Sequence, residues 1–146
     1  MQALDRANIA FVNGDYAGSL GELAEIRVRN DPMSLLEAWS NYRLGNIEAA
    51  RAGFAQVAAR RPDSADALGG LAYCDLQSDN LDGAARQFQL VLSKFPDDGQ
   101  SLAGLGHARY RQGRYDEARS LFERVLEDHP EDSEAREILD RLKGMP

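Results

Sequence analysis

Between positions 115 and 126 the apolar or small residues Tyr115, Ala118, Leu121, Phe122, Val125 and Leu126 fall three or four apart, which places them on one face of a helix. Leu102, Leu105, Gly106 and Ala108 follow the same spacing just upstream, and Arg111-Gln112-Gly113-Arg114 reads as the short turn between. The pattern thus predicts a pair of helices, and that pair recurs. Pro62, Pro96 and Pro130 stand 34 residues apart, as do Ala50, Ala84 and Ala118, Phe54, Phe88 and Phe122, and Val57, Val91 and Val125. Other columns keep only their character: Ile47, Leu81 and Tyr115 are large, and Ala38, Ala72 and Gly106 are small. A fixed period of this length marks a stack of like units.

Each repeating proline interrupts the helix before it. The residues after it, Asp63-Ser64, Asp97-Asp98 and Glu131-Asp132, suit the positive N-terminal end of the next helix. Pairs are expected over 31–64, 65–98 and 99–131, with a degenerate unit over about 1–30. In that first unit Gly14, Tyr16, Ser19 and Leu23 echo Gly45, Ile47, Ala50 and Phe54 at a spacing of 31. The helix opening 31–64 carries Ser34 and Glu37 where the later units have leucine, and is expected to be rotated or shifted. After Pro130, Ala135, Ile138, Leu139 and Leu142 share one face ahead of Gly144, which predicts a capping helix over about 132–143.

The residues Leu102, Leu105, Gly106, Tyr110, Gly113, Tyr115, Ala118, Phe122 and Pro130 resemble the tetratricopeptide repeat (TPR) family. The unit 65–98 agrees at Leu68, Leu71, Ala72, Ala84, Phe88 and Pro96, with Asp79 in place of the turn glycine. The resemblance implies an all-α fold: one domain over 1–146, a right-handed α-solenoid of about four antiparallel helix pairs plus the cap. Such stacks need polar covers at their ends. The first helix carries Ala3, Leu4, Ala7, Ile9, Ala10 and Phe11 from close to Met1, so either the chain is a segment of a longer protein or its N-terminal helices pack on a second copy as a homo-oligomer.

Composition narrows the chemistry. With 17 Lys and Arg against 24 Asp and Glu the net charge is −7, which gives no electrostatic reason to expect nucleic acid or anionic lipid as a partner. No apolar run approaches the roughly 18 residues a membrane span needs, and the start of the chain does not read as a signal peptide, so no membrane insertion and a cytoplasmic location are expected. The single cysteine, Cys74, shares a column with Ser40 and Ala108 and reads as a buried thiol. Of the two histidines, His129 falls in an inter-unit turn. No nucleophile, base and orienter come together, glycines such as Gly69-Gly70 lie inside helices rather than in a phosphate loop, and the acidic runs lack calcium-loop spacing. No enzyme, cofactor or metal is expected.

In TPR arrays the first helix of each pair lines a concave groove. The period then selects the lining columns: Trp39, Tyr73 and His107; Tyr42, Leu76 and Tyr110; Arg43, Gln77 and Arg111; and Leu35, with Gly69 and Ala103; Asn8 and Phe11 come from the first helix. Rings with a few donors suit a peptide. Other readings compete. Tyr42 and Tyr110 equally suit the seam between paired helices, Trp39 either lines the groove or turns into the core, and Arg43 and Arg111 either meet acidic ligand groups or favour the helix C-terminal dipole. His107 would also let the groove respond to pH near neutrality.

Co-chaperone TPR domains grip a terminal carboxylate with Lys, Asn and Arg. At those places the last three pairs here hold Leu35, Trp39, Gly70, Gln100 and Gly104, and the first three hold Leu4, Asn8, Leu36, Asp66 and Gly70, where only Asn8 agrees. The expected function is a protein-protein interaction module taking a peptide or helix of another protein in the groove. The alternatives are an assembly element acting through the N-terminal face, or the recruiting segment of a longer enzyme.

Overall fold

A computed structural model describes residues 1–26 and 30–145. Among them are nine helices and no strand: α1 (Ala3–Val12), α2 (Tyr16–Ala24), α3 (Asp31–Arg43), α4 (Ile47–Arg60), α5 (Ala65–Gln77), α6 (Leu81–Lys94), α7 (Gly99–Arg111), α8 (Tyr115–Asp128) and α9 (Ser133–Leu142). The odd-numbered helices from α3 onward begin at 31, 65, 99 and 133, and the even-numbered ones from α4 begin at 47, 81 and 115. The period of the sequence is therefore the period of the helices, and the expected all-α, helix-pair architecture is what the chain forms. Pro146 lies outside the described residues, as do 27–29 of the first expected unit. Among the described residues no helix is long and apolar enough to cross a membrane.

Local chemistry sets these boundaries. Immediately before α3, α5, α7 and α9 stand Asn30, Ser64, Asp98 and Asp132, again 34 apart, and each side chain accepts the backbone N–H three residues on, at 3.0 to 3.2 Å. That bond satisfies one of the donors a helix start leaves open. The turns inside the pairs need a left-handed residue, and Gly14, Gly45 and Gly113 supply it with φ between 78° and 84°. Asp79, the residue expected to replace the turn glycine, adopts the same region at φ 63°. Pro32 does not follow the inter-unit prolines but occupies the first turn of α3, where its missing N–H costs nothing.

The helices group into two compact units, Met1–Cys74 and Asp75–Pro146, divided within α5. In the first, α1 packs with α2, α2 with α3, and α3 with α4. Its core gathers Ala38, Ala50, Phe54 and Cys74, with Leu35, Trp39, Tyr42, Ile47 and Leu71 against them. Helix α3 keeps the register of the others despite Ser34 and Glu37: it starts in phase, and Ala38 is as buried as Ala72. Trp39 supplies bulk that the missing leucines do not.

In the second unit α6 packs with α7, α7 with α8, and α8 with α9. Leu102, Ala118, Phe122, Val125, Ala135, Ile138 and Leu142 form its core, so α9 buries the apolar face that its spacing predicts. Each buried large side chain contributes about 1.5–3 kcal/mol. Buried glycines admit the rings: a Cβ on Gly106 would fall 2.8 Å from the Phe122 ring. At the far end of α7, the nearly buried Arg109 pairs with Glu117 at 2.9 Å and donates to Gln112 at 2.9 Å, tying α7 to α8.

Candidate functional site

The residues expected to line a groove fall on both units. In the first, Trp39 and Tyr42 sit one turn apart on α3, and Tyr73 is on α5. Their rings form a continuous edge-to-face triad. Centroids are 5.5 Å apart for Trp39 and Tyr42, 5.9 Å for Trp39 and Tyr73, and 6.1 Å for Tyr42 and Tyr73, with interplanar angles of 68° to 82°. Such geometry aligns ring edges with ring faces and favours contact beyond area alone. All three rings are half-buried. Trp39 also packs edge-on against the fully buried Phe54 at 4.8 Å, so it belongs at once to the core and to the surface above it. Leu35 packs against the same core, and Arg43, in the last turn of α3, is exposed.

The remaining first-unit residues stand on α1. Asn8 is exposed and donates from Nδ2 to the Leu4 carbonyl at 3.0 Å; Phe11 is half-buried and meets the Tyr16 ring at 5.1 Å. Neither touches the triad through a ring contact or hydrogen bond.

In the second unit His107 repeats the position of Trp39. Its ring packs edge-on against Phe122 at 5.2 Å, as Trp39 does against Phe54. Its Nε2 stands 3.3 Å from Oε1 of Glu134 on α9. Burial lowers its pKa below the ordinary 6.5, the Arg111 guanidinium acts in the same direction, and the carboxylates of Glu134 and Asp132 oppose them. Tyr110 packs on Tyr115 of α8 at 5.6 Å, in the seam between the paired helices. Leu76 is 6% exposed and offers a ligand almost no side-chain surface, while Gln77 is exposed.

Arg111 is neither a simple helix-end charge nor an idle ligand contact. It donates from one terminal nitrogen to the Leu76 carbonyl at 2.8 Å and from the other to the Asp79 carboxylate, and so braces the turn that follows α5. Next to it Gln112 donates to Asp82 at 2.7 Å. The acid beside His107 escaped the column reading because Glu134 comes from the capping helix. Extending the column of Asp66 and Gln100 by one period reaches it.

Candidate chemical groups are occupied otherwise. Cys74 is buried, His129 is exposed with Nδ1 3.6 Å from Glu131, and among the described residues no three His, Cys, Asp or Glu side chains could hold a metal ion.

The profile of the tetratricopeptide repeat family matches this chain over residues 41–102 and again over 76–142. A comparison with characterised protein sequences found no match. Among solved structures, MamA from Desulfovibrio magneticus RS-1 is similar with a TM-score of 0.71 at 16% identity, over 96% of this chain and 81% of that one. The first TPR domain of human RPAP3 gives 0.71 at 18% identity, over 77% of this chain and 89% of that one. The first TPR of Spaghetti (RPAP3), bound to the HSP90 peptide SRMEEVD, gives 0.70 at 17% identity, over 81% and 94%. At these identities the structures speak to the fold, whereas the family profile spans most of the sequence. The chain belongs to the tetratricopeptide repeat family.

Proposed function

We propose that the chain is a protein-interaction module that takes a peptide or helical segment of a partner on the exposed faces of its first-of-pair helices. The observation that carries the reading is the Trp39, Tyr42 and Tyr73 triad, three half-buried rings in mutual contact on α3 and α5. Rings of this kind supply large contact area at low entropic cost and dominate interface energetics. His107 and Tyr110 form a second, smaller patch on their own unit. The peptide-bound RPAP3 domain supports a peptide as ligand class, although of the residues that would grip a terminal carboxylate only Asn8 has a counterpart here. A binding role without catalysis, in the cytoplasm, belongs to the same proposal.

Selection from a random-peptide library followed by calorimetry tests it. Tyr73→Ala should weaken a selected ligand by about 1–3 kcal/mol while folding is preserved. Equal affinity of the variant would remove the triad from the site.

Exposed apolar side chains on and beside α1 favour a second reading, self-assembly through the N-terminal helices. Met1, Ile9 and Val12 are 81%, 49% and 83% exposed. Sedimentation at rising concentration distinguishes the two, since assembly predicts an increasing mass and peptide binding alone predicts a constant one.

A further inference from the structure

The first-of-pair helices and the cap seat on the helix before them by the same two positions. Gly70 admits the Phe54 ring, Gly104 admits the Phe88 ring, and Ile138 packs in one core with Phe122. Four residues on, Cys74, Ala108 and Leu142 are 0% exposed, as is Ser40, whose hydroxyl lies 3.4 Å from that of Ser19 on α2. On α1 these positions, 31 residues before Leu36 and Ser40 as Gly14 is before Gly45, hold Asp5 and Ile9. Both are exposed, Ile9 by 49%. Helix α1 therefore presents to solvent the face by which α3, α5, α7 and α9 are covered.

Charge decides what fits there. Asp5 accepts the Gln2 backbone N–H at 3.3 Å within the helix start and is in no ion pair with a described residue. A phenylalanine in its usual place would bury that carboxylate against hydrocarbon, which is costly for an unpaired charge. A cation there would pair with it. A second copy does not offer one through α1, whose single basic side chain, Arg6, is held by Glu22 at 2.7 Å.

Beyond the surface on α3 and α5, we propose that the outer face of α1 docks an amphipathic helix of a partner protein, with a small residue against Ile9 and, four residues later, a lysine or arginine against Asp5. The order follows from the pairs already formed. Ser19 meets Ser40, and Phe54, four residues after Ala50, the counterpart of Ser19, meets Gly70, four residues before Cys74. The docked helix runs antiparallel to α1.

The α4 sequence, residues 47–60, supplies a probe, since it presents Ala50 and Phe54 at that spacing. It is used as a labelled peptide, cross-linked on its outer side because a helix of this length is marginal alone. Its Phe54→Lys and Phe54→Glu forms differ only opposite Asp5. In anisotropy titrations of the full chain the Phe54→Lys peptide should bind saturably, and about threefold or more tighter than the Phe54→Glu peptide. Ile9→Ser in the chain should weaken it about fivefold or more. Asp5→Asn, which keeps an acceptor at the helix start, should erase the preference between the two peptides, and Tyr73→Ala should change neither affinity.

Failure of the Phe54→Lys peptide to bind, or binding indifferent to Ile9→Ser and Asp5→Asn, overturns the proposal and leaves the triad reading standing. Binding lost with Tyr73→Ala overturns it in favour of the triad. Tighter binding of the unaltered α4 peptide makes a further repeat unit the occupant, and a mass that rises with chain concentration but not in Ile9→Ser makes a second copy the occupant; either result contradicts a basic partner helix.

Discussion

The Phe88 ring occupies the volume that a side chain at residue 104 would need: a Cβ built on Gly104 would lie 2.2 Å from its Cζ. The relation repeats with the same spacing in the first unit, where a Cβ on Gly70 would lie 2.4 Å from the Phe54 ring. Both phenylalanines are fully buried, so neither ring has free volume to yield. Gly104→Ala gains up to about 1 kcal/mol from helix propensity but forces an overpacked core, a cost of about 1–3 kcal/mol or more. Net destabilisation is expected. Gly21→Ala is the control, since α2 leaves open space there, and it should stabilise by about 0.5–1 kcal/mol. Denaturant midpoints of the two variants should move in opposite directions.

Ser101 is fully buried, and its hydroxyl has no hydrogen-bond partner among the described residues. The positions one period before and after it are Ala67 and Ala135, both buried. An unpaired buried hydroxyl costs about 1–3 kcal/mol in desolvation. Ser101→Ala should therefore raise the melting temperature, and a fall would show that the hydroxyl is bonded.

Asp79 holds a left-handed conformation that its counterparts Gly45 and Gly113 adopt freely. Arg111 pairs with it, but the Asp79 carboxylate is 79% exposed, where an ion pair contributes about 0–1 kcal/mol. Relief of the backbone is worth about 1–2 kcal/mol. Asp79→Gly should thus be neutral to stabilising, as read by thermal unfolding, whereas Asp79→Val, bulkier in the same conformation and without the ion pair, should be clearly destabilising.

Two groups give stability a pH dependence, in separate windows. The folded pKa of His107 lies below 6.5, so the unfolded chain binds its proton more readily. Its contribution is complete above 6.5 and is lost as pH falls through the folded value. Asp31 is held below its ordinary 3.8 chiefly by hydrogen bonds from Arg60 and Arg61, so its contribution persists to lower pH and is lost below 3.8. Chemical denaturation across the acid range should show His107→Gln flattening the upper window and Asp31→Asn the lower.

Much of the fold was legible because repetition multiplies weak signals. One cap residue is ambiguous, but Asp63-Ser64, Asp97-Asp98 and Glu131-Asp132 at a fixed spacing name three helix starts. The site was less legible, since a column of the period fixes a face but not its neighbours. Trp39 stood between groove and core, and it touches Phe54 as well as Tyr42 and Tyr73, because a ring of that size reaches both. Leu76 and Tyr110 share a column, yet the first is buried while the second packs on Tyr115. For His107 and Arg111 the deciding partners, Glu134 and Asp79, lie on other elements and outside the chosen columns.

Trp39 is the only tryptophan of the sequence and sits within the proposed contact surface, so its emission reports occupancy without a label. Titration of the full chain with a library-selected peptide should shift that emission saturably, with a midpoint equal to the dissociation constant from calorimetry. Binding seen by calorimetry with the emission of Trp39 unchanged would contradict the account.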